Sequence, residues 1–236
     1  MRNDEYNILQ VSESSALIEF GEIISKDINK KIRAVCNYLD NNNFYGFVEY
    51  VPYFCSISII YNPLVFKNEP RIFNKIKEIL EDILRQIDVK DSYEDNIVEI
   101  PVCYGGKFGM DLEYVAKAHG IKSEEVIDIH SKGQYLVYMI GFTPGFPYLG
   151  GLDERLHTER RESPRGAIKA GSVGIAGMQT GVYPIETPGG WQIIGRTPLK
   201  LFDLSKDKKT LLKCGDIVKF KSISEEEYLK IEENLL

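Results

Sequence analysis

The segment GFTPGFPYLGG, residues 141–151, decides how the second half of this chain folds. Its eleven residues include four glycines, two prolines and three aromatic residues, Phe142, Phe146 and Tyr148. Proline fixes φ and removes a backbone donor, so this segment cannot continue as a regular helix or a central strand. It predicts a stiff loop that presents aromatic faces. From the residues alone two roles stay open, the wall of a binding pocket or a plug at one end of a barrel.

Strand and turn patterns surround this loop. An apolar strand is predicted just before it, over 135–142, and the segment 210–220 predicts a loop and a strand that close a barrel. Two short helices, one over about 111–118 and one capped by Ser123, precede these strands. The second half of the chain therefore predicts a closed β-barrel.

The first hundred residues alternate strand and helix patterns instead. Apolar residues at helical spacing after Ser25 and after Pro70 predict two helices. Four β-rich runs predict strands over 15–20, 44–51, 55–61 and 97–103. The resulting order, βαββαβ, is that of a ferredoxin-like domain, a sheet covered on one side by two helices. Whether its last strand belongs to the first or the second domain stays open.

A polar stretch over 88–96 separates the two patterns and is a candidate linker. Because the pattern changes there from mixed helix and strand to strand and turn, we predict an α+β protein of two domains. The N-terminal domain is expected over 1–92 and the barrel domain over 93–236.

Composition and charge limit the classes of protein to which the chain can belong. A formal net charge of -6 argues against a nucleic-acid-binding protein, which needs a basic face. The start of the chain shows no secretory leader pattern, and no apolar run is long enough to span a membrane. The four cysteines are scattered, which indicates a reduced, cytoplasmic protein. No metal-ligand motif, serine-nucleophile motif or biotin-acceptor sequence is present, which argues against an independent amidase, metallohydrolase or biotin carboxylase.

Two further glycine-rich segments follow the loop. AGSVGIAGMQTG at 170–181 permits close approach of a ligand to the backbone, and its N–H groups are candidate anion ligands. It lies between strands, so it is neither a P-loop nor a Rossmann motif. TPGGWQIIGRTP at 187–198 contains Trp191 and Arg196, whose guanidinium suits a carboxylate or a phosphate. A surface turn beside a core tryptophan is the structural alternative.

The run at 141–151 is similar to the signature of the PxpB/KipI family, which is also described as allophanate hydrolase subunit 1. The similarity covers essentially the whole chain, through ALIEFG at 16–21, SISIIYNP at 56–63, VCYGGKFG at 102–109, AGSVGIAG at 170–177, QTGVYP at 179–184, PGGW at 188–191 and IGRTP at 194–198. One departure is Met110, where the family commonly has a proline before the Asp-Leu pair. It affects the start of a helix and not the predicted pocket.

The resemblance implies a cyclophilin-like β-barrel for the second domain and a smaller α/β first domain. It also implies a sister subunit (PxpC- or KipA-like) and a third, PxpA-like subunit. Together such subunits hydrolyse 5-oxoproline to glutamate at the expense of ATP, so this chain is expected to be inactive alone. A different class stays open as the alternative: an inhibitor of a sporulation histidine kinase. Related modules also occur in the carboxyltransferase part of urea carboxylase.

Opening a lactam with ATP requires a cation for the phosphate, donors for an oxyanion and a base that orients water. Arg165 and Arg196 are the candidates for the cation. Gln179, with nearby glycine amides, is the candidate for the donors. His130 is the candidate for the base, although a buried histidine with satisfied hydrogen bonds is the structural alternative.

The candidate substrate-binding residues come from the three motif segments and from residues 182–186 between the second and the third. They are Phe142, Phe146, Tyr148, Ser172, Gly174, Tyr183, Glu186 and Trp191. The aromatic members are expected to line the pocket. Glu186 is either an acid of the pocket or part of an exposed turn. No metal site is predicted.

Overall fold

The computed structural model describes residues 1, 5–89 and 96–235 of the chain. It divides into two units, residues 1–94 and 95–236. The predicted domain boundary, between residues 92 and 93, and most of the candidate linker lie outside the described residues.

The first unit consists of a four-stranded antiparallel sheet and two long helices. Its strands are β1 (Asn7–Ser12), β2 (Ser15–Glu19), β3 (Phe47–Pro52) and β4 (Ser56–Tyr61), and its helices are α1 (Lys26–Asn41) and α2 (Ile72–Gln86). The strands lie in the order β1-β2-β4-β3. A single-turn 3-10 helix, Pro63–Phe66, lies between β4 and α2.

Hydrophobic periodicity explains this arrangement. Alternate residues of β2 and β4 are buried, so one face of the sheet is apolar. Ile32 of α1 and Ile76 and Leu80 of α2 are at most 1% exposed and belong to the same core. Ser25 caps α1 as predicted, because its side chain accepts a hydrogen bond from the N–H of Ile28 at 3.2 Å.

The predicted order βαββαβ is wrong at both ends of the first unit. The described elements of the unit run ββαββα, because β1 precedes the predicted first strand and β5 (Ile97–Tyr104) belongs to the second unit. Strand β1 was not predicted from the sequence, because only Ile8 among its six residues is buried and the strand has little hydrophobic alternation. β5 is a strand, as predicted, but it pairs in parallel with β13 (Ile217–Ser222) over six residues.

The second unit contains a closed barrel of seven strands, as the sequence predicts. The barrel strands are β5, β6 (Tyr135–Ile140), β7 (Pro147–Gly150), β9 (Ser172–Ala176), β10 (Gln179–Val182), β12 (Gln192–Arg196) and β13. They lie in the order β10-β7-β6-β13-β5-β12-β9, and β9 pairs with β10 to close the barrel. Two shorter strands, β8 (Arg165–Ile168) and β11 (Thr187–Gly189), form a separate ribbon.

Three helices complete the unit. They are α3 (Leu112–His119), α4 (Ser123–Lys132) and α5 (Glu225–Asn234), and a short 3-10 helix spans Glu154–Leu156. Val115 of α3 and Val126 of α4 are fully buried in the core of the barrel. Within the described residues, no helix combines the length and the apolarity that crossing a membrane requires.

One close backbone approach fixes the segment before α3 against the barrel. The N–H of Gly105 donates to the carbonyl of Ile194 at 3.0 Å, and a Cβ added at Gly109 would overlap that same carbonyl. Gly109→Ala therefore has to displace backbone, and we expect it to lower the free energy of unfolding of this unit by about 3 kcal/mol. Urea denaturation followed by the fluorescence of Trp191 measures this.

Gly166→Ala is the matched control for this substitution. A Cβ at Gly166 has nothing within 4 Å and its φ is not positive, so the stability should stay within about 0.5 kcal/mol of the wild type. Equal unfolding midpoints for the two variants would contradict the close approach of Gly109 to the backbone of Ile194.

Candidate functional site

A pocket of about 270 Å³ lies on the barrel unit, between the first motif segment, the third motif segment and the arginine-rich segment 160–165. Its walls come from the loop before β7, from β7 itself, from the segment that precedes β8, from the residue after β10, and from β11 with the two residues that join it to β12. The lining residues are Phe142, Phe146, Tyr148, Arg160, Pro164, Tyr183, Pro188, Gly189, Gly190 and Trp191. Five predicted site residues, Phe142, Phe146, Tyr148, Tyr183 and Trp191, are thus brought together.

Phe146 is the centre of the aromatic wall. Its ring lies 5.0 Å from that of Tyr148, 5.3 Å from that of Tyr183 and 5.4 Å from that of Trp191, each in an edge-to-face arrangement. Such geometry is favourable because the positive edge of one ring meets the negative face of another. Phe146 is only 2% exposed, so the wall is rigid and belongs to a packed cluster.

The phenols of the pocket stay protonated at neutral pH. Burial raises the pKa of Tyr183 to about 12 and also raises that of Tyr148, while the positive charge of Arg160 opposes both increases. Both hydroxyl groups are therefore hydrogen-bond donors rather than phenolates at the wall of the pocket.

Phe142 is the strained member of the pocket loop. Its φ is +70°, and it is the one non-glycine residue with positive φ among the described residues. A bulky side chain in this region costs about 1–2 kcal/mol. The loop holds it there because Gly141 donates to the carbonyl of Phe146 and Phe146 donates to that of Thr143, both at 3.0 Å. The ring is 69% exposed at the rim of the pocket.

Asp111 anchors the arginine-rich segment beside the pocket. Its carboxylate is almost fully buried and lies 2.7 Å from Arg165 Nη2 and 3.5 Å from Arg161 Nη1. Its other oxygen accepts the N–H of Ile193 at 2.7 Å, and its own N–H donates to the carbonyl of Ile193 at 2.8 Å. The predicted cation Arg165 is therefore already paired with a carboxylate and also donates to the carbonyl of Trp191 at 3.5 Å.

Arg196, the second predicted cation, makes its contacts with α5 and not with the lining of the pocket. Its Nε donates to the hydroxyl of Tyr228 at 3.0 Å, and its guanidinium lies over the rings of Phe108 and Tyr228. Glu232 lies 3.9 Å from its Nη2. These contacts are typical of an arginine that fastens a helix to a barrel.

His130 lies inside the barrel unit with both ring nitrogens occupied. Nδ1 is 2.8 Å from the hydroxyl of Tyr104, and Nε2 is 2.9 Å from the hydroxyl of Thr180. Thr180 donates its own proton to the carbonyl of Gly174, so Nε2 carries the ring hydrogen and Tyr104 donates to Nδ1. The ring also stacks on Phe220. These contacts support the structural alternative for His130, a satisfied core histidine.

The other predicted residues do not line the pocket. Ser172 and Gly174 are buried in β9, where Gly174 approaches Trp191 closely, and Gln179 is partly exposed at the start of β10. Glu186 is exposed in the turn before β11. In the described part of the chain, no group of three or more His, Cys, Asp or Glu side chains is placed to hold a metal ion.

Sequence reasoning missed Arg160 and the role of Asp111. Arg160 belongs to a run of three arginines, Arg160, Arg161 and Arg165, and nothing in the spacing shows which of them faces the pocket. Asp111 lies some fifty residues from its two arginine partners, so only the fold brings them together. A single acidic residue at the entry to α3 is otherwise typical of a helix start.

A closed barrel with an aromatic pocket, preceded by a separate α/β unit, defines the class of protein. Residues 6–212 match the family described as "Carboxyltransferase domain, subdomain C and D". The chain belongs to this family and, within it, to the PxpB/KipI family, whose members include the B subunits of bacterial 5-oxoprolinases.

Three relatives illustrate this placement. The chain is 50% identical over 230 residues to the 5-oxoprolinase B subunit of Bacillus subtilis (strain 168), covering 94% of this chain and 95% of that protein. It is 43% identical to the solved protein PH0987 from Pyrococcus horikoshii, with a TM-score of 0.56, covering 94% of this chain and all of that one. TTHA0988 is 32% identical with a TM-score of 0.77 over 89% of this chain, which spans only 40% of the length of that protein.

The buried ion pair beside the pocket gives a stability prediction. Arg165→Met leaves the carboxylate of Asp111 with a weaker set of partners, so we expect the free energy of unfolding to fall by about 2–4 kcal/mol. Arg155→Met is the matched control, because it breaks a half-exposed pair with Asp153 and should cost less than about 1 kcal/mol. Urea denaturation of both variants makes the comparison, and equal losses would refute the anchoring role of Asp111.

The buried histidine predicts how stability depends on pH. Burial lowers the pKa of His130 from its ordinary value of 6.5 to about 3. Between these values the unfolded chain binds a proton that the folded chain does not, so folding becomes less favourable as the pH falls below about 6.5. His130 should contribute a slope of up to about 1.4 kcal/mol per pH unit.

Urea denaturation at several pH values between 7.5 and 5 measures this slope. His130→Gln removes the titrating ring and should flatten the dependence. Thr180→Val is the control, because it removes a hydrogen bond and keeps the buried ring, so it should retain the slope at lower overall stability. A His130→Gln slope equal to that of the wild type would show that other groups cause the effect.

Proposed function

We propose that this chain is the B subunit of an ATP-dependent 5-oxoprolinase, acting in the cytoplasm with a PxpC-like (KipA-like) sister subunit and a PxpA-like subunit. The observation that supports this most strongly is the 50% identity to the Bacillus subtilis 5-oxoprolinase B subunit over nearly the full length of both chains. The complex would convert 5-oxoproline, ATP and water to glutamate, ADP and phosphate. The barrel is then expected to be cyclophilin-like in fold without being a prolyl isomerase, because fold does not determine activity.

The pocket is suited to part of this chemistry. A volume of about 270 Å³ lies just below the usual range for small-molecule sites, which fits a single five-membered ring better than a nucleotide. Five of its ten lining residues are aromatic, and Arg160 adds positive charge. These features favour binding of 5-oxoproline in this chain, with ATP held by another subunit.

The same pocket lacks part of the machinery that hydrolysis requires. A lactam carbonyl is a poor electrophile, and phosphorylation of its oxygen by ATP would make the carbon reactive toward water. After water adds, cleavage of the ring C–N bond would release the amine and leave an acyl phosphate, which a second water would hydrolyse to glutamate and phosphate. Water then needs a general base, and the ring nitrogen needs a proton. The pocket lining contains no carboxylate and no histidine among the described residues. Partner subunits would therefore supply the acid and the base, and the isolated chain is expected to be inactive.

Catalytic roles remain proposed for four residues, Arg165, Arg196, Gln179 and His130. Arg165 and Arg196 are engaged with Asp111 and with Tyr228, respectively, so a catalytic role would require these contacts to open in the complex. The aromatic lining residues are the stronger candidates for a direct role in binding, because their side chains face the pocket in the isolated chain.

ATP-dependent release of glutamate from 5-oxoproline tests the proposal. The chain should show no turnover alone or with either partner, and turnover only when all three subunits and ATP are present. Omission of ATP from the full mixture is the internal control. A folded, verified three-subunit complex without activity would reject the oxoprolinase assignment. The kinase-inhibitor and carboxyltransferase alternatives would then take its place.

A further inference from the structure

We propose that Arg160 is the carboxylate-recognising residue of the pocket, so that the pocket selects a small cyclic acid over the corresponding neutral lactam. This inference rests on the proposed function and specifies how the chain would recognise 5-oxoproline. It rests on the different surroundings of three neighbouring arginines, on the position of Arg160 against the aromatic wall and on the chemistry of the ligand.

The three arginines of the segment do not have equivalent partners. Arg161 and Arg165 both pair with the buried carboxylate of Asp111. Arg160 forms no ion pair within the described part of the chain, although its side chain lines the pocket. A single buried carboxylate thus pairs with two of the cations, while the third has no ionic partner among the described residues and is available to an anionic ligand.

The guanidinium of Arg160 lies against the aromatic wall. Its Cζ is 5.9 Å from the centre of the Trp191 ring, within the range of a cation–π contact. Its positive charge also opposes the increase in the pKa of both Tyr148 and Tyr183, so its electrostatic field reaches the two phenols of the pocket. The aromatic contact holds the planar group at the edge of the cavity and leaves its donors free to pair with an anion.

The pocket therefore combines two kinds of recognition. The aromatic rings of Phe146, Tyr148 and Trp191 offer a surface for a small ring, and Arg160 offers a fork of N–H donors for a carboxylate. 5-Oxoproline consists of one five-membered lactam ring and one carboxylate. 2-Pyrrolidinone has the same ring without the carboxylate. Comparing the affinities of the two compounds therefore separates the contribution of the aromatic wall to binding from that of Arg160.

The chain carries its own reporter for this test, because Trp191 is its single tryptophan and lies in the pocket wall. The full-length chain, alone and in the three-subunit complex, is titrated with 5-oxoproline and with 2-pyrrolidinone while tryptophan fluorescence is recorded. In the complex, Trp191→Phe identifies the part of the signal that comes from Trp191. We expect a saturable change with 5-oxoproline and an affinity for 2-pyrrolidinone that is lower by about 10- to 100-fold, the usual effect of a lost charge-assisted hydrogen bond.

Arg160→Gln should weaken binding of 5-oxoproline by a similar factor and leave the affinity for 2-pyrrolidinone unchanged. Arg155→Gln removes the same charge at a half-exposed pair with Asp153 and should bind both compounds as the wild type does. Thermal unfolding of both variants verifies that they are folded. In the active complex, Arg160→Gln should raise KM for 5-oxoproline much more than it lowers kcat.

The outcomes separate this inference from the proposed function. Unchanged binding and KM in Arg160→Gln, together with an active complex, would overturn the role of Arg160 and leave the oxoprolinase assignment in place. Selective binding of the acid through Arg160, in a complex without turnover, would support the inference and reject the assignment. The absence of a saturable change with 5-oxoproline in both the chain and the complex would overturn the inference.

Discussion

The buried carboxylate of Asp111 is the constraint on which the pocket depends. A buried charge is costly unless it is paired, and here two arginines and the backbone N–H of Ile193 surround it. These contacts join the start of α3, the arginine-rich segment and the start of β12. Because the pocket lies between that segment and the first residues of β12, one electrostatic cluster fixes the two walls relative to each other.

The aromatic wall and the strained loop complete this arrangement. Phe146 packs against four aromatic rings at once, which leaves the loop little freedom, and Phe142 keeps a positive φ at the rim. Such strain persists only when the surrounding contacts determine the conformation. Packed walls and an unpaired arginine would allow the proposed site to bind a small acid without rearrangement, and in the proposed complex other subunits would supply the chemistry of hydrolysis.

The sequence predicted those parts of the molecule that local pattern controls. The glycine- and proline-rich loop and the following strands predicted the closed barrel, and the aromatic residues of the motifs do meet in one pocket. Strand β1 was missed because an edge strand with one buried residue has little hydrophobic alternation. The partners of His130 and of Arg165 depend on contacts between segments distant in the chain, which no local pattern encodes. For the same reason the sequence could not single out Arg160.

The most direct test of the account is a crystal structure of the chain, or of its complex with the partner subunits, with 5-oxoproline bound. We expect density for the lactam ring between the aromatic side chains, with its carboxylate within hydrogen-bonding distance of Arg160 and with Asp111 still paired with Arg165. Density for 5-oxoproline at another site, with the aromatic pocket unoccupied at saturating ligand, would contradict it.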